Sequence, residues 1–478
     1  MQNHIRRSEV SLPRADEAAK IHEVIYYLKR LFENPVAKNL ISKISTPKRL
    51  EKILSIYCGI DEPSGIKEKI YAKGITELIA KAAEKFDIDE NLLREGLKDP
   101  YYRRGVANVV AGIAKYGITV PQKLYAPFLV VWNFTRKCNL RCKHCYANAG
   151  KADDELSFAE KLELVRQLDD AGVVAISFSG GEPLIHRDFW KVAKFAADLG
   201  FHVSVATNGT LITPEVAERM KEIGVNYVEV SLDAATPEIH DSFRGVEGAF
   251  DRALEGIKNC VKAGIQTGIA TTATKLNIFE IPEIISLAED LGVYRLVVFN
   301  FIPTGRGKEI TKLDLNVDER KWLLELLYDA LQKSHLQVLS TSPLYAVVAV
   351  EKVLQGKGKR MTPTHFADVC MPSDSALVLS DFLGGCGAGR LYCGIQPNGD
   401  ITPCVFIPVV VGNYRRGFLK IWQENSILES LRDRDSPDYA CKDCDFKYIC
   451  GGCRARAYGY FGDLKGMDPG CFIGSADV

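Results

Sequence analysis

The spacing of apolar residues divides the chain into three stretches. Up to about residue 120, apolar positions recur at helical intervals, as in ADEAAKIHEVIYYLKRLFEN and PKRLEKILSIYCGI. Pro and Gly interrupt this pattern near residues 63–65, 98–100 and 116–121, and no alternating strand pattern occurs. We therefore predict a helical N-terminal region over residues 1–120 that packs as a cap on the next domain.

From residue 128 the pattern changes to short apolar runs rich in β-branched and aromatic residues. Six such runs alternate with amphipathic stretches; they are FLVVWNFT, VVAISFS, HVSVATN, YVEVSLD, TGIATTAT and RLVVFNF. Strands that alternate with helices indicate an α/β fold built on a parallel sheet. The sequence thus predicts an open sheet curled into a partial (β/α)6 barrel over residues 121–335.

Beyond residue 335 the alternation fades. Residues 384–413 and 436–471 are rich in Gly, Cys and Pro, which is typical of loops organised by bound ligands rather than by a large core. The Asn398–Gly399 pair predicts a hairpin turn. We assign residues 336–478 to a linker and a loop-rich C-terminal domain.

Charge and hydropathy narrow the choice of function. Lys and Arg total 61, as do Asp and Glu, so the net charge is zero. This balance argues against a nucleic-acid-binding chain, which needs a basic surplus. No apolar run approaches the ~18 residues that span a bilayer, and MQNHIRRSEV lacks the apolar stretch of a secretory signal. We expect a cytoplasmic protein without a transmembrane segment.

The cysteines are clustered in two regions of the chain. Three of the 14 lie at Cys138, Cys142 and Cys145, and eight lie between Cys386 and Cys471. Because the cytoplasm keeps thiols reduced, clustered cysteines favour metal binding over disulfides. The three outside these regions, Cys58, Cys260 and Cys370, are interpreted as structural.

The first cysteine region has no obvious fourth ligand. Cys260 is the next cysteine and lies in a helical pattern, so the triplet is either half of a zinc site or a [4Fe–4S] site with one open iron. The triplet follows the first predicted strand, while SGGEP, TNG and SLD follow the next three. In parallel α/β folds the carboxyl ends of the strands carry the active site, so these motifs should meet at one edge.

The motif C-x3-C-x2-C after the first strand, with SGGEP at 179–183, resembles the radical S-adenosylmethionine (SAM) superfamily over roughly residues 126–305. The resemblance implies that Cys138, Cys142 and Cys145 bind a [4Fe–4S] cluster whose open iron is chelated by SAM. It also implies a reduced ferredoxin- or flavodoxin-type electron donor and a 5′-deoxyadenosyl radical that abstracts hydrogen from a substrate.

The resemblance further implies a set of SAM contacts. They are Gly180, Gly181 and Glu182 at the SAM ammonium, His144 near the adenine, Ser231 and Asp233 at the ribose, Arg244 at the carboxylate, and Asn208 on the same edge. Taken singly, a GGEP motif is often a turn, and Ser231 or Asp233 could be a helix cap. The segment TGIATTATK departs from the family pattern, so none of its residues is assigned.

The second cysteine region resembles the SPASM extension of radical SAM enzymes, which carries two auxiliary [4Fe–4S] clusters. The implied ligands interleave: Cys386, Cys393, Cys404 and Cys453 for one cluster, and Cys441, Cys444, Cys450 and Cys471 for the other. Eight thiolates predict that both clusters are fully ligated. The spacing alone leaves a pair of zinc sites open.

The substrate class is the least constrained part of the prediction. VVWNFTRKCNLRCKHCY and GGCRARAYGYFGD resemble the branch with pyrroloquinoline-quinone and haem-related enzymes, which implies an oxidoreductase acting on a tetrapyrrole- or quinone-type cofactor precursor. The same chemistry on a peptide or protein side chain is an alternative, and a non-catalytic zinc-binding protein is a distant one. Arg454 and Arg456 either face substrate carboxylates or brace the cluster loop. No catalytic residue is assigned.

Overall fold

The computed structural model describes residues 26–43, 45–84, 88–150, 154–358, 360–364, 367–370 and 382–473. The first predicted helix spans residues 15–34, and its residues 15–25 therefore lie outside the described residues. Cys370 lies in a described strand, but its side chain lies outside the described set, so its predicted structural role stays a prediction.

The N-terminal region is helical, as the apolar spacing predicts. Its helices are α1 (Pro35–Ser42), α2 (Pro47–Tyr57), α3 (Ile66–Glu84), α4 (Glu90–Gly96) and α5 (Pro100–Tyr116). Asp89 and Asp99 cap α4 and α5 by accepting hydrogen bonds from backbone N–H groups of the first turn. The inward faces of these helices form a hydrophobic cluster of their own, to which Phe382 from the C-terminal region also belongs.

The central region alternates strands and helices. The strands are β1 (Leu129–Thr135), β2 (Ala175–Gly180), β3 (His202–Thr207), β4 (Val225–Ser231), β5 (Gln266–Ala273), β6 (Arg295–Asn300) and β7 (Gln337–Ser340). The helices are α6 (Phe158–Ala171), α7 (Phe189–Asp198), α8 (Pro214–Glu222), α9 (Pro237–Arg244), α10 (Ala249–Lys262), α11 (Ile281–Asp290), α12 (Val317–Lys333) and α13 (Leu344–Leu354). This alternation confirms the predicted α/β class.

The strands pair in parallel in chain order from β1 to β7, and the sheet does not close on itself. All six predicted strands are present. The sheet also contains β7, a strand of four residues that the sequence analysis did not predict. Because β7 and α13 continue the alternation beyond residue 335, the predicted boundary there cuts through regular α/β structure; the division into domains stays a prediction.

The C-terminal region extends the same sheet by three strands, and its first two strands form a separate two-stranded antiparallel sheet. It contains β8 (Arg360–Thr364), β9 (Ala367–Cys370), β10 (Tyr392–Ile395), β11 (Asp400–Thr402), β12 (Gly412–Asn413), α14 (Phe418–Glu424), α15 (Ser426–Arg432) and α16 (Arg454–Phe461). Strand β10 pairs in parallel with β1, and β11 returns antiparallel through the predicted turn at Gly399, whose φ is +87°. The strand order is therefore β12-β11-β10-β1-β2-β3-β4-β5-β6-β7.

The core lies between the sheet and its covering helices. Trp132, Phe134, Phe178 and Phe189 are fully buried and contact one another mostly edge to face, with ring centroids 5.0–6.3 Å apart. Burial against the helices on one face explains the apolar residues at alternate positions of β3 and β4. Among the described residues, no helix is long and apolar enough to cross a bilayer. A cytoplasmic location stays a prediction.

A buried amide joins the N-terminal helices to the sheet. The Nδ2 group of Asn108, in α5, donates to the carbonyl oxygens of Ala126 and Gly172, both at 3.1 Å. Its Oδ1 accepts from the backbone N–H groups of Tyr125 and Ala126. A single side chain thus satisfies polar groups on both sides of the junction, and it is fully buried.

We predict that Asn108→Ala lowers the free energy of unfolding by about 2–4 kcal/mol, because it leaves buried carbonyl and N–H groups without partners. The measurement is chemical denaturation of the cluster-free chain. The matched control is Asn91→Ala at an exposed position of α4, which should change the free energy by less than about 0.5 kcal/mol. Equal effects at the two positions would contradict this role of Asn108.

Candidate functional site

The cysteine loop, residues 136–150, follows β1 and brings three thiols into one small cluster. Cys138, Cys142 and Cys145 pack together with Leu140 and Ala249. The backbone N–H of Leu140 points at Cys138 Sγ, and that of Ala149 points at Cys145 Sγ, each at 3.4 Å. The pKa of Cys138 is raised to about 11, mainly by burial and to a smaller extent by the charges of Glu182, Cys142 and Cys145. Thiolates in this environment need a cationic centre, which suits iron.

Arg306 holds the cysteine loop from the end of β6, and the sequence analysis missed it. Its Nε donates to the carbonyl oxygen of Cys142 and its Nη1 to that of Ala149, both at 2.8 Å, while its backbone N–H donates to Cys145. At Gly305, whose φ is +54°, a Cβ would lie 2.3 Å from the Cys145 oxygen. The signal was present as TGRG directly after the sixth predicted strand.

The SGGEP loop after β2 lies directly against the cysteine loop. The backbone N–H of Gly181 donates to the Thr135 oxygen and that of Glu182 to the Lys137 oxygen, both at 2.7 Å. A Cβ on Gly181 would lie 2.1 Å from the Lys137 oxygen, so only glycine permits this approach. Gly180, with φ of +114°, makes the turn that delivers Gly181.

Glu182 ties the SGGEP loop to the end of β3. Its carboxylate is fully buried and accepts hydrogen bonds from Thr207 Oγ1, from the Leu184 N–H and from the Asn208 N–H at 2.9–3.1 Å. Burial raises the pKa of Glu182 to about 7, although these hydrogen bonds oppose the shift. Both oxygens thus have partners within the chain, and contact with the SAM ammonium stays a prediction.

Asn208 and Ser231 lie on the same edge. Asn208 Nδ2 donates to Asn139 Oδ1 at 2.8 Å and is 4.0 Å from Cys138 Sγ, while its Oδ1 accepts from Thr210. Asn208 therefore orders the start of the cysteine loop. Ser231 is the last residue of β4 and is half-buried, and its contact with the SAM ribose stays a prediction.

His144, Asp233 and Arg244 come together beside Cys142. Arg244 Nε lies 2.7 Å from Asp233 Oδ2, and His144 Nε2 lies 3.4 Å from the same oxygen. Arg244 Nη1 lies 3.8 Å from Cys142 Sγ. Asp233 Oδ1 accepts from the Thr272 N–H, so the end of β5 also contributes to the site.

The electrostatics of this group keep the pair charged and the imidazole neutral. Burial alone would raise the pKa of Asp233, but Arg244, His144 and His240 together hold it below its usual range. Burial lowers the pKa of His144 to about 3, so its ring is neutral at physiological pH. The ring stacks on Phe243, with centroids 4.0 Å apart and planes 17° apart.

Among the described residues, the buried Nδ1 atom of His144 has no hydrogen-bond partner, whereas Asp233 Oδ2 and Arg244 Nε pair with each other. Buried polar atoms without partners are costly, which fits a site completed by a polar ligand. All three residues were predicted from the sequence as SAM contacts; the open Nδ1 of His144 fits that cofactor here, and the individual contacts stay predictions.

The eight C-terminal cysteines do not divide into equal halves. Cys441, Cys444, Cys450 and Cys471 lie close together: besides burial, the charges of Cys471 and Cys441 raise the pKa of Cys450, and Cys444 and Cys471 raise that of Cys441. Within the described residues, no three His, Cys, Asp or Glu side chains are arranged around a single metal ion.

The other group contains three cysteines instead of the expected four. Besides burial, the charges of Cys386 and Cys404 raise the pKa of Cys453, and Cys386 raises that of Cys404. Cys393 is fully buried in the main core, beside Arg432. Because neighbouring residues of a strand face opposite sides, Tyr392 faces the three cysteines and Cys393 faces away from them.

Arg454 and Arg456 brace the second cysteine region. Arg454 Nη1 donates to the Gly466 oxygen at 2.8 Å, and Arg456 donates to Asp468 Oδ1 at 3.1 Å and Asp314 Oδ2 at 2.8 Å. Both guanidinium groups are almost completely buried. Of the two roles considered for them, the structure supports bracing.

Tyr146 connects the two cysteine regions, which the sequence analysis also missed. Its hydroxyl contacts Asn133 Oδ1 at 2.9 Å and Ser179 Oγ at 2.8 Å. Its ring contacts Phe406, with centroids 4.9 Å apart, and the Phe406 N–H points at Cys404 Sγ at 3.4 Å. An aromatic residue directly after the last cysteine of the triplet was the available signal.

Comparisons with known proteins agree with this geometry. A model of the radical SAM superfamily matches residues 132–288, and a model of an iron–sulfur cluster-binding domain, SPASM, matches residues 386–445. The AdoMet-dependent heme synthase of Methanosarcina barkeri is 34% identical over 350 residues, which are 72% of this chain and 96% of that protein. Mycofactocin maturase MftC of Mycobacterium tuberculosis is 32% identical over 363 residues, 74% of this chain and 85% of that one.

A similar solved structure is that of SuiB from Streptococcus suis bound to S-adenosylmethionine. It has a TM-score of 0.62 and covers 88% of this chain and 93% of its own, at 19% sequence identity. At this identity the similarity concerns the fold.

We predict that Asp233→Asn weakens SAM binding by roughly tenfold or more, because the amide removes a charged acceptor and leaves the Arg244 charge uncompensated. The measurement is the Kd for SAM of the anaerobically reconstituted protein, with iron content confirming that the cluster is retained. Asp251→Asn, on the exposed side of α10, is the matched control and should leave the Kd unchanged. Unchanged or tighter binding by Asp233→Asn would place SAM elsewhere.

We predict that Glu182 makes folding less favourable as the pH rises from about 4.5 to about 7. In this window the folded chain keeps a proton that the unfolded chain has released, so the carboxyl contributes a loss of up to about 3 kcal/mol. The measurement is the difference in unfolding free energy between the wild type and Glu182→Gln at several pH values. As the pH rises, the unfolding free energy of Glu182→Gln should increase relative to that of the wild type.

The exposed Glu218 supplies the control for this experiment. Glu218→Gln should show a difference from the wild type that stays constant across the same pH range. A shift in favour of the wild type with rising pH would mean that Glu182 is held as a stabilised carboxylate, contrary to the raised pKa.

Proposed function

The chain belongs to the radical SAM superfamily and carries the SPASM iron–sulfur extension, and we propose that it oxidises a tetrapyrrole-type cofactor precursor. The family confirms the predicted enzyme class and cofactors: SAM with its [4Fe–4S] cluster, and auxiliary iron–sulfur clusters in the C-terminal region. It leaves no support for the alternative of a non-catalytic zinc-binding protein.

The observation that carries the substrate class is the similarity to heme synthase. The match spans 96% of that enzyme at 34% identity, so it includes nearly all of its catalytic and auxiliary parts. The sequence analysis reached the same branch from the two stretches around the cysteines. Heme synthase, by its name, makes a tetrapyrrole, and we extend that class to this chain as a proposal.

Different residues would hold the cluster and SAM at the carboxyl edge of the sheet. Cys138, Cys142 and Cys145 would hold the cluster. His144 would orient SAM through its open Nδ1 atom, and Asp233 and Arg244 through their paired charges. When bound, the cluster and SAM supply a 5′-deoxyadenosyl radical that abstracts hydrogen. We further propose that a reduced ferredoxin- or flavodoxin-type protein donates the electron.

The face of the sheet opposite the helices is polar, which suits a substrate with polar substituents. Val228 and Val230 pack into the helix-covered core, so Tyr227 and Glu229, which alternate with them on β4, face the other side. Tyr227 donates to Glu229 at 3.4 Å, and burial raises the pKa of Glu229. Rings of Tyr101 and His202, 4.9 Å apart, lie at the opposite end of the strands from the cysteine loop.

A peptide substrate is the second candidate, and one observation favours it. The chain is 32% identical to Mycofactocin maturase MftC over 85% of that enzyme. Arg454 and Arg456, which could have anchored the carboxylates of either substrate class, are occupied by bracing contacts. The contacts of these two residues therefore do not distinguish a tetrapyrrole substrate from a peptide substrate.

We predict that iron porphyrins with propionate side chains stimulate 5′-deoxyadenosine release by the reduced, reconstituted protein, with a matching change in the mass of the tetrapyrrole. The measurement is anaerobic chromatography of the adenosine product together with mass spectrometry of the tetrapyrrole. Cys142→Ala is the control and should release no 5′-deoxyadenosine, because it removes a ligand of the SAM cluster.

A peptide fraction of cell extract tests the alternative substrate class in the same assay. Stimulation by that fraction, with none by any tetrapyrrole, would reject the proposal in favour of peptide maturation. A shift of the porphyrin absorption band would show that porphyrin binds. Binding without turnover would count against the proposal, because the proposal requires a change in the mass of the tetrapyrrole.

A further inference from the structure

Three buried arginines in the C-terminal region have no carboxylate contact among the described residues. Arg390, Arg434 and Arg454 are only 1–2% exposed. In the same part of the chain, their hydrogen bonds go to backbone carbonyl oxygens alone: Arg390 donates to Leu383 and Gly384, Arg434 to Cys386, Lys447 and Tyr448, and Arg454 to Gly452, Leu464 and Gly466. A buried cation without a negative partner is costly, so these three groups require an anion from elsewhere.

Other buried arginines of the chain do contact carboxylates. Arg320 lies 2.9 Å from Asp314, and Arg456 lies 2.8 Å from Asp314 and 3.1 Å from Asp468. The fold therefore supplies carboxylates to buried arginines elsewhere. Because the described residues place no such contact beside the first three arginines, we expect a bound group to compensate their charge.

The same three arginines have N–H groups without hydrogen-bond partners among the described residues. They are Nε and Nη1 of Arg390, Nε of Arg434 and Nη2 of Arg454, and all four atoms are buried. A guanidinium N–H that is shielded from water is a strong donor when it meets an anionic acceptor. These groups therefore suit the sulfur atoms of a bound cluster.

Glycines of the cysteine-rich loops make room for two of the guanidinium groups. A Cβ on Gly385 would lie 2.2 Å from Arg434 Nη1, and a Cβ on Gly452 would lie 2.4 Å from Arg454 Nη2. Each of these glycines directly precedes a clustered cysteine in the chain. The two positive charges are thus packed against the loops that carry the thiols.

The charges of the arginines and the cysteines influence one another. Burial lowers the pKa of Arg390 well below its usual range, nearby Arg434 lowers it further, and the charge of Cys386 opposes the shift. For Arg454, burial acts to lower the pKa, but its neighbours, Cys386 and Cys441 among them, raise it overall. Arg390 is therefore coupled to one cysteine group, and Arg454 to both.

We propose that Arg390, Arg434 and Arg454 compensate the negative charge of the two auxiliary iron–sulfur clusters and raise their reduction potentials. A four-iron cluster with thiolate ligands is an anion, and reduction adds one more negative charge. A buried cation therefore stabilises the reduced cluster more than the oxidised one. These roles require the iron–sulfur clusters but no particular substrate.

The first test measures both auxiliary potentials in the full-length chain. A background variant with Cys138, Cys142 and Cys145 changed to Ala retains only the auxiliary clusters, whose potentials are found by anaerobic redox titration followed by electron paramagnetic resonance. In this background Arg390→Gln should lower one potential, Arg434→Gln at least one, and Arg454→Gln both. We expect decreases of about 59 mV or more, which is a tenfold change in the equilibrium of a one-electron reduction. Unchanged potentials in variants with full iron content would overturn the proposal.

Arg432→Gln is the matched control for these variants. Arg432 is buried in the same region, but it lies beside Cys393, which faces away from the cysteine groups, and it lies 3.7 Å from Glu429. Its replacement should leave both potentials unchanged. A decrease equal to that in Arg390→Gln would reject the proposal, because it would trace the effect to loosened packing of the region.

Arg390→Lys separates the charge from the shape of the side chain. The lysine keeps the positive charge without the planar guanidinium, so the potential should stay closer to the wild-type value than in Arg390→Gln. Equal decreases in the two variants would contradict a role of the charge. If Arg390→Gln binds no auxiliary iron, iron content becomes the measurement. Recovery of iron in Arg390→Lys would then support the proposal, and failure of both variants to bind iron would overturn it.

Discussion

The close approach of three backbone segments to the cysteine loop is the constraint on which the site depends. The SGGEP loop donates to the Thr135 and Lys137 oxygens, and the last turn of α9 accepts from the Arg141 and Lys143 N–H groups at 3.1 and 2.9 Å. Arg306 holds the remaining part from the end of β6. These segments come from different parts of the sheet, so the thiols converge only when the parallel strands are in register.

The close packing of these segments against the cysteine loop also accounts for the shifted pKa values in the site. Segments packed this closely exclude water, and burial is the leading influence on the pKa of Glu182, His144 and Cys138. The Asp233–Arg244 pair keeps its charges there because each compensates the other. A site that is dry and has an open buried nitrogen on His144 is arranged in advance for a polar cofactor, and it limits the quenching of a reactive radical by solvent.

Local signals in the sequence predicted the six strands, because short β-rich runs with apolar residues facing the helices are recognisable without tertiary information, and the motifs follow the strand ends. Strand β7 was missed since four residues give little pattern. Arg306 was missed because its contacts are with backbone oxygens more than 150 residues away in the chain. The orientation of Cys393 depends on the pairing of β10 with β1, and counting cysteines carries no information on pairing.

That pairing also determines how the extension works with the SAM edge. Because β10 adds to the sheet beside β1, the hairpin that carries Cys404 is built on the strand that leads into the cysteine loop. Tyr146 and Phe406 then close the gap between the two regions. A rigid connection through hydrogen-bonded strands keeps the auxiliary ligands at a fixed position relative to the SAM site. The extension and the SAM site are therefore parts of one hydrogen-bonded sheet, and neither region can be placed without the other.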